Sequence, residues 1–350
     1  MKILFTKFKH IGDALLLTPV IASVKRQYPS AEIWVWVRVG TEGILAACEG
    51  ISRVLTSAPS GGGRRSRAGL LLQDVRNLML VRKQHFDLAF DFSDGRRGWL
   101  LASTSGARFK AVSSTDAIPA IWSHLFDRCL PYSECGSHRV IKDYVLVQDV
   151  MKLSGDIPPL QFTRARADEQ WAKDQGLENC TVIHPSTRWK RKSWPLERWI
   201  DLCTQLEKDG HRLVLSSGPS SDEVAFCEQI KSGATLDAVL TRGALTWAGM
   251  AGLLYNSRLF VGVDTAAMHL AAACQIPIVA LFGPTVEDVW RPWSCEHRLI
   301  IPEYDRKELL RPDGYMDSRL RSMDRILVTE VVAACRELMQ RHPHESLLSH

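Results

Sequence analysis

Three segments of the sequence place polar and charged side chains where a parallel α/β sheet can bind a ligand. They are Lys7–Asp13 (KFKHIGD), His184–Pro195 (HPSTRWKRKSWP) and Asp264–His269 (DTAAMH). Each follows a short apolar run, typical of a buried strand, and leads into a predicted helix. Open α/β sheets bind ligands at the carboxyl ends of their strands, and helix N-termini attract phosphate groups. The pattern, clearest in the third segment, indicates a pocket for a nucleotide diphosphate.

The third segment lies between two apolar runs, in a strand, turn, helix, strand pattern. Thr265 is predicted to be the helix N-cap, and the small side chain of Ala266 leaves room for a phosphate against the backbone. His269 lies four residues after Thr265 and so on the same helix face. We predict that these residues and Asp264 contact the ligand. A buried structural histidine is the alternative for His269.

The second segment offers hydroxyl donors at Ser186 and Thr187 and a positive charge at Lys192, which together could hold a diphosphate. A solvated basic loop is the alternative for the neighbouring cations. Farther along, Asp222 and Glu223 follow another predicted strand. Either carboxylate could accept hydrogen bonds from a ribose, and helix capping is the alternative role for one of the two.

The first segment contains a candidate for proton transfer. Gly12 lets the backbone approach a ligand closely. Asp13 begins a predicted helix, so it is either a helix N-cap or a carboxylate base that accepts the proton of an attacking hydroxyl. The residues alone leave both roles open.

No metal site is expected. The chain has no D-x-D triplet, its nine cysteines show no C-x-x-C spacing, and no Walker-type G-x-x-x-x-G-K-[ST] loop occurs. We therefore expect Lys192 and the backbone N–H groups at helix N-termini, rather than a cation, to neutralise a diphosphate.

Strand and helix patterns alternate along the chain, which predicts parallel sheets in an α/β fold. The first half should contain strands at 3–6, 33–37 and 88–92, helices from about 13 and at 71–83 and 142–153, and a mobile loop at 57–68. The second half should contain strands at 180–184, 212–216, 260–263 and 278–282 and helices at 196–208, 222–231, 246–255 and 328–341. We predict two Rossmann-like domains that face a central cleft, at 1–158 and 179–326, with a linker at 159–178 and a C-terminal helix and tail at 327–350.

Composition and charge narrow the class of protein further. The chain has 350 residues, of which 45% are hydrophobic, and a net charge of +5. No apolar run approaches the length of about 18 residues that suggests a membrane span, and charges interrupt the N-terminal apolar part where a signal peptide would need a clean core. We expect a cytoplasmic protein.

Cation clusters at 64–67, 96–97 and 190–192 could bind nucleic acid, an anionic small ligand or a membrane surface. The sequence lacks the repeated alternation of aromatic and basic residues that is typical of nucleic-acid binding, which argues against that partner.

Taken together, the motifs KFKHIGDALLLTP, HPSTRWKRKSWP and VGVDTAAMHLAAA, with ALFGPT after the last, resemble the heptosyltransferases of lipopolysaccharide core assembly, nearest the third type. The resemblance is clear over residues 1–50 and 180–290. It implies a GT-B fold and an inverting, metal-independent transfer of L-glycero-D-manno-heptose from ADP-heptose to the inner core. A glycosyltransferase with another donor, a nucleotide-sugar epimerase and a non-catalytic nucleotide binder are the alternatives.

The resemblance also implies roles for individual residues. Asp13 falls on the family's catalytic base, and Lys192 on a phosphate-binding position that stabilises the leaving group. The family's donor-binding positions fall on Thr187, Lys192, Leu245, Asp264, Thr265, Ala266 and His269, and Ala266 stands where the family commonly has glycine. The residues themselves add Ser186 and Glu223 to the predicted donor contacts. The expected acceptor-binding residues are Lys7, His10, Gly12, Arg64, Arg96 and Arg97. The implied partners are ADP-heptose and a phosphorylated, lipid-linked core saccharide at the cytoplasmic face of the inner membrane, with room for peripheral membrane contact and no nucleic acid.

Overall fold

The computed structural model describes residues 1–57, 64–114, 118–132, 137–309 and 317–342, and within these ranges the side chains of 64–71, 306 and 318 are not described. The chain divides into two compact units, Met1–Thr163 and a second unit that begins at Arg164. The division falls inside the segment 159–178 that we predicted to be a linker.

The first unit contains a six-stranded, all-parallel sheet in the order β3-β2-β1-β4-β5-β6. Its strands are β1 (Lys2–Lys7), β2 (Glu32–Arg38), β3 (Ile51–Ser57), β4 (Leu88–Asp91), β5 (Phe109–Ser114) and β6 (Arg128–Pro131). The central strands are apolar runs buried on both faces, as parallel sheets covered by helices require. The predicted strands correspond to β1, β2 and β4. The sequence pattern did not predict β3, β5 and β6, which are short or carry polar residues.

The helices of the first unit are α1 (Ile11–Leu15), α2 (Thr18–Gln27), α3 (Arg64–Gln84), α4 (Arg96–Ser103), α5 (Ala120–Ser123) and α6 (Arg139–Met151). Pro19 lies in the first turn of α2, where its missing N–H costs nothing. The expectation of a loop throughout 57–68 was wrong, because α3 begins at Arg64. Arginine, alanine and leucine favour helix, so the helix extends back from the predicted segment. The remainder of that expected loop, 58–63, lies outside the described residues.

The second unit contains another six-stranded parallel sheet, in the order β12-β11-β10-β7-β8-β9. Its strands are β7 (Cys180–His184), β8 (Leu213–Leu215), β9 (Val239–Leu240), β10 (Ser257–Val263), β11 (Ile278–Leu281) and β12 (His297–Ile300). Its helices are α7 (Gln170–Asp174), α8 (Leu196–Lys208), α9 (Ser221–Ala234), α10 (Trp247–Tyr255), α11 (Ala266–Ala273), α12 (Glu287–Trp290), α13 (Arg306–Leu309) and α14 (Val328–Arg341). Short 3₁₀ turns lie at Glu42–Ile44 in the first unit and at Arg164–Arg166, Lys190–Lys192, Ser318–Leu320 and Met323–Arg325 in the second.

The C-terminal helix α14 is part of the second unit. Val331, Cys335 and Leu338 form the predicted apolar stripe, and all three are buried in the same core as Trp199 of α8. Trp199 packs edge-on against Trp194, whose indole N–H donates to the Ile326 carbonyl just before α14. This packing holds α14 against the second sheet.

The strand order creates one switch point in each sheet. In the first unit β1 lies between β2 and β4, and in the second unit β7 lies between β8 and β10. At such a point the connections leave in opposite directions, and a crevice opens beyond the carboxyl ends of the two central strands. The three sequence segments begin at or directly after β1, β7 and β10.

Candidate functional site

The loops after β7 and β10 are joined by an ion pair. Lys192 Nζ lies 2.6 Å from Asp264 Oδ2, and both side chains are largely buried. Lys192 belongs to the 3₁₀ turn that follows β7, and its ammonium also lies 5.1 Å from the centre of the Trp189 ring. Since β7 and β10 are adjacent parallel strands, their carboxyl ends bring these residues together although 72 positions separate them. A lysine held in this position can meet an anion at the switch point.

Helix α11 begins directly after this pair. Thr265 occupies the N-cap position with an extended backbone, as predicted, but its hydroxyl makes no capping hydrogen bond. Within the described residues the buried Thr265 Oγ1 has no hydrogen-bond partner. Ala266 is the first helical residue and is not among the residues with positive φ. Alanine is therefore unstrained where the family commonly has glycine. His269, one turn into the helix, is buried.

A second polar link joins the loop after β7 to the turn after β8. Ser186 Oγ donates to Glu223 Oε2 (3.1 Å), and the Gly218 N–H donates to the same oxygen (2.9 Å). Glu223 lies in the first turn of α9, where a carboxylate is favoured. Glu223 thus binds the turn that precedes α9 rather than the N-cap, which is Ser220 and makes no side-chain capping hydrogen bond. A Cβ at Gly218 would lie 2.5 Å from Glu223 Oε2 and would displace this carboxylate from its position.

Thr187 and Leu245, the remaining predicted donor contacts, are partly exposed in the second unit. Thr187 Oγ1 accepts from the Trp189 N–H at 3.3 Å, which shapes the loop that carries Lys192. Leu245 directly precedes Thr246, the N-cap of α10, whose hydroxyl accepts from the Gly249 N–H. Their contacts with a ligand stay predictions.

His184, at the end of β7, is a site neighbour to which the sequence analysis gave no role. Its Nδ1 is hydrogen-bonded to Ser216 Oγ at 2.8 Å, and its ring stacks on Phe260. Burial lowers the pKa of His184 to about 4, so the ring is neutral near pH 7. The histidine ties β7 to the end of β8. In the sequence, His184 ends an apolar run and directly precedes Pro185 and Ser186 of the second segment. This position was the signal that could have identified it.

In the first unit, Asp13 lies at the third position of α1 rather than at its N-cap, which is His10. Asp13 Oδ2 accepts the His10 N–H at 3.1 Å. The other carboxylate oxygen, Oδ1, is buried and has no hydrogen-bond partner among the described residues. One oxygen therefore orients the group while the other is available to accept a proton. Gly12 is buried beside it, and His10 is exposed.

Lys7, the last residue of β1, is buried inside the first unit and does not reach the surface. Its side chain is buried, and its ammonium pairs with Asp143 of α6, which also binds Arg139 at 2.9 Å. Burial lowers the pKa of Lys7 to about 8, against the opposing effect of Asp143. Arg139 in turn donates to the Phe92 carbonyl after β4 (2.7 Å). This geometry does not fit the predicted contact of Lys7 with an acceptor, because the ammonium is neutralised inside the unit.

Asp91, at the end of β4, was also missed. Thr6 and Ser93 donate to its Oδ1 at 2.5 and 2.6 Å, and its Oδ2 has no partner among the described residues. Burial raises the pKa of Asp91 to about 6. Gly98 of α4 packs against it so closely that a Cβ would lie 2.4 Å from Oδ1. Asp91 is an acidic residue at the end of an apolar strand, and this position in the sequence was the signal that could have identified it.

The predicted acceptor arginines differ in their surroundings. Arg96 is exposed at the start of α4. Arg97 binds Asp74 of α3 through Nε and Nη2, at 3.1 and 2.5 Å, and its guanidinium lies over the Phe8 ring. Arg97 thus joins two helices. Arg64 begins α3, but its side chain is outside the described residues.

Two further results concern the described part of the chain. No group of three or more His, Cys, Asp or Glu residues there has an arrangement that could hold a metal ion. No helix there has both the length and the apolar character needed to cross a bilayer.

Two Rossmann-like parallel sheets, each with polar groups at its switch point, match the GT-B fold of solved heptosyltransferase structures, which confirms the predicted fold class. The sequence pattern of glycosyltransferase family 9 (heptosyltransferase) matches residues 79–313. The chain therefore belongs to glycosyltransferase family 9.

Individual relatives agree with this assignment. Lipopolysaccharide heptosyltransferase 3 of Escherichia coli is 28% identical over 296 residues, which cover 81% of this chain and 84% of that protein. The structure of E. coli ADP-heptose LPS heptosyltransferase II matches with a TM-score of 0.76 and 18% identity, over 98% of this chain and all of that one. E. coli heptosyltransferase WaaC with ADP matches with a TM-score of 0.78 and 17% identity, over 97% and 100%. The resemblance to lipopolysaccharide heptosyltransferases is confirmed.

Proposed function

We propose that this glycosyltransferase transfers L-glycero-D-manno-heptose from ADP-heptose to the inner core of lipopolysaccharide, with inversion at the anomeric carbon and without a metal ion. The observation that carries the proposal is the Lys192–Asp264 pair at the switch point of the second sheet, beside the N-terminus of α11. A fixed ammonium and helix N–H groups are suited to a diphosphate. The relatives named for ADP-heptose and for lipopolysaccharide support this choice of donor and acceptor.

In the proposed reaction, Asp13 accepts the proton of an acceptor hydroxyl through Oδ1. The acceptor oxygen forms a bond to the anomeric carbon on the face opposite the diphosphate. The bond from that carbon to the diphosphate oxygen breaks, and ADP leaves with the bonding electrons. Lys192 and the N–H groups at the start of α11 stabilise the negative charge that develops on the departing ADP.

Glu223 and the hydroxyl groups are proposed to complete the donor pocket. One Glu223 oxygen is held by Ser186 and Gly218, which leaves Oε1 to accept from a ribose hydroxyl. The unpartnered Thr265 Oγ1 is proposed to donate to a phosphate oxygen. Both groups follow strands of the same sheet, Glu223 in the first turn of α9 after β8 and Thr265 at the N-cap of α11 after β10.

We further propose that the acceptor is a phosphorylated, lipid-linked saccharide at the cytoplasmic face of the inner membrane, and that exposed cations of the first unit bind its anionic groups. Arg96 is the exposed candidate with a described side chain. Turnover on this acceptor should then fall with ionic strength more steeply than ADP binding does. A flat salt response would remove the arginines from the proposal.

The test combines nucleotide preference with turnover. ADP should raise the melting temperature more than UDP or GDP, and the purified chain should release ADP from ADP-heptose only when a core acceptor is present, equally in magnesium and in EDTA. The product should carry the anomeric configuration opposite to that of the donor. A preference for UDP or GDP would favour another donor, and a requirement for magnesium would refute the metal-free mechanism. Nucleotide binding without turnover would favour a non-catalytic binder.

A further inference from the structure

Helix α3 of the first unit has apolar side chains on two faces. Its inner face enters the core, where Val81 is buried with Leu78 packed against the same cluster. Its outer face exposes Leu72, Val75 and Met79 by 57%, 40% and 61%. These three residues follow one another at spacings of three and four, so they form one stripe along the helix. The inner packing does not account for this stripe.

Helix α4 extends the exposed surface. Arg97 of α4 binds Asp74 of α3, and Arg82 of α3 donates to the Thr104 carbonyl at the end of α4 (3.2 Å). Between these two contacts along α4, Leu100 is 49% exposed. The four exposed apolar residues therefore lie on two helices that contact each other. We name the exposed sides that carry these residues the α3–α4 outer face.

This surface is flanked by positive charge. The segments Arg64–Gln84 and Arg96–Ser103 contain eight arginine or lysine residues and one acid, Asp74, which is paired with Arg97. Among the cations with described side chains, those of Arg76, Arg82, Lys83 and Arg96 are exposed. An apolar stripe bordered by arginine and lysine is suited to the boundary between headgroups and acyl chains of an anionic bilayer.

We propose that the α3–α4 outer face docks this chain on an anionic lipid surface, with Leu72, Met79 and Leu100 entering the headgroup region and Arg76 and Lys83 meeting lipid phosphates. A second copy of the chain is a poorer occupant, because an isologous contact would bring the same positive surface against itself. The surface lies on helices of the first unit, and vesicle binding can be measured without any donor. The proposal therefore stands or fails independently of the proposed reaction.

The experiment is co-sedimentation of the purified full chain with vesicles. Mixed vesicles of phosphatidylglycerol and phosphatidylcholine in equal parts are compared with vesicles of phosphatidylcholine alone. Two double variants test the surface, Leu72→Ser with Met79→Ser and Arg76→Gln with Lys83→Gln. The matched controls are Leu320→Ser with Leu327→Ser and Lys173→Gln with Lys208→Gln, all at exposed positions of the second unit. Circular dichroism and ADP affinity report whether each variant is folded.

The wild type should bind the mixed vesicles in preference to the neutral ones, and less strongly as salt increases. Each surface variant should reduce binding to mixed vesicles by about tenfold or more, while the controls bind like the wild type. Equal binding of surface variants and controls would overturn the proposal, as would a wild type indifferent to phosphatidylglycerol. Light scattering that shows a dimer lost in the Leu72→Ser, Met79→Ser variant would assign the surface to self-association instead.

Discussion

Lys192 Nζ lies 2.6 Å from Asp264 Oδ2, across the two central strands of the second sheet. The aspartate holds the lysine side chain in one conformation. A lysine without such a partner would lose rotamer entropy when it bound an anion. Asp264 also supplies the negative charge that makes a largely buried ammonium tolerable. In the proposed function, the pair therefore holds the ammonium in place before a diphosphate binds.

Replacing Lys192 by alanine should weaken ADP binding and lower kcat by about 10²–10³-fold, because the leaving diphosphate loses its charge-stabilising donor. Calorimetry with ADP and initial rates with ADP-heptose measure the two effects. Lys190→Ala is the matched control, since Lys190 is exposed in the same 3₁₀ turn. Unchanged ADP affinity in Lys192→Ala would refute the assigned role.

Replacing Asp13 by asparagine should lower kcat by about 10²–10⁴-fold while ADP affinity stays near the wild-type value. The amide oxygen can still accept the His10 N–H that orients Asp13, but the side chain can no longer take up a proton. Rates at saturating substrate, paired with calorimetry, separate the two properties. Full turnover in Asp13→Asn would show that another group is the base.

Asp143→Asn should destabilise the chain by about 3–5 kcal/mol, because it leaves Lys7 and Arg139 buried without their counter-charge. Asp149→Asn on the same helix is the control. Asp149 pairs with Arg128 at a partly exposed position, where such a pair contributes about 0–1 kcal/mol. Urea denaturation measures the free energy of unfolding of both variants. Similar losses of stability would show that the buried ion pair contributes no more than the partly exposed one.

Asp91 should make the stability of the chain depend on pH. Burial raises its pKa to about 6 from an ordinary 3.8, so between those values the folded chain binds more protons than the unfolded chain. The contribution of Asp91 to stability is therefore fully present below about pH 4 and is lost as the pH rises through 6. Asp91→Asn, which cannot ionise, should gain up to about 3 kcal/mol relative to the wild type between pH 4 and 7.

Urea denaturation of both proteins at several pH values measures this gain. The prediction concerns the difference in unfolding free energy between the two proteins. His184 gives both of them an opposite pH dependence over a similar pH range, which cancels in that difference. Its pKa is lowered to about 4 by burial, so its own contribution is lost as the pH falls. A difference between Asp91→Asn and wild type that stays constant with pH would contradict the prediction.

Two glycines of α10 should respond differently to alanine. A Cβ at Gly252 would lie 2.0 Å from the Asp168 carbonyl oxygen, a backbone atom, whereas at Gly249 the nearest atom is 3.4 Å away on the Leu245 side chain. Gly252→Ala should therefore cost at least about 1–3 kcal/mol. Gly249→Ala should be neutral or stabilise by up to about 1 kcal/mol. Thermal and urea unfolding distinguish these outcomes, and equal effects would show that the helix can shift to make room.

The sequence by itself determined the local units of this protein. The sequence directly predicted the strands β7 and β10, the helix α8, the start of the helix that carries Asp13, and the turns that carry Lys192 and Asp264. Buried parallel strands are continuous apolar runs, and turn residues stand beside them in the chain. The three motifs in order were also sufficient to recognise the family.

Only the tertiary structure decided which side chains meet. Lys7 pairs with Asp143 across 136 positions and is thereby buried, and Glu223 is held by Ser186 and Gly218. These contacts depend on strand order and on the helix that covers each face, and no local pattern encodes either. The same reason explains why Asp91 and His184 were missed. Their pKa shifts come from burial that distant segments impose.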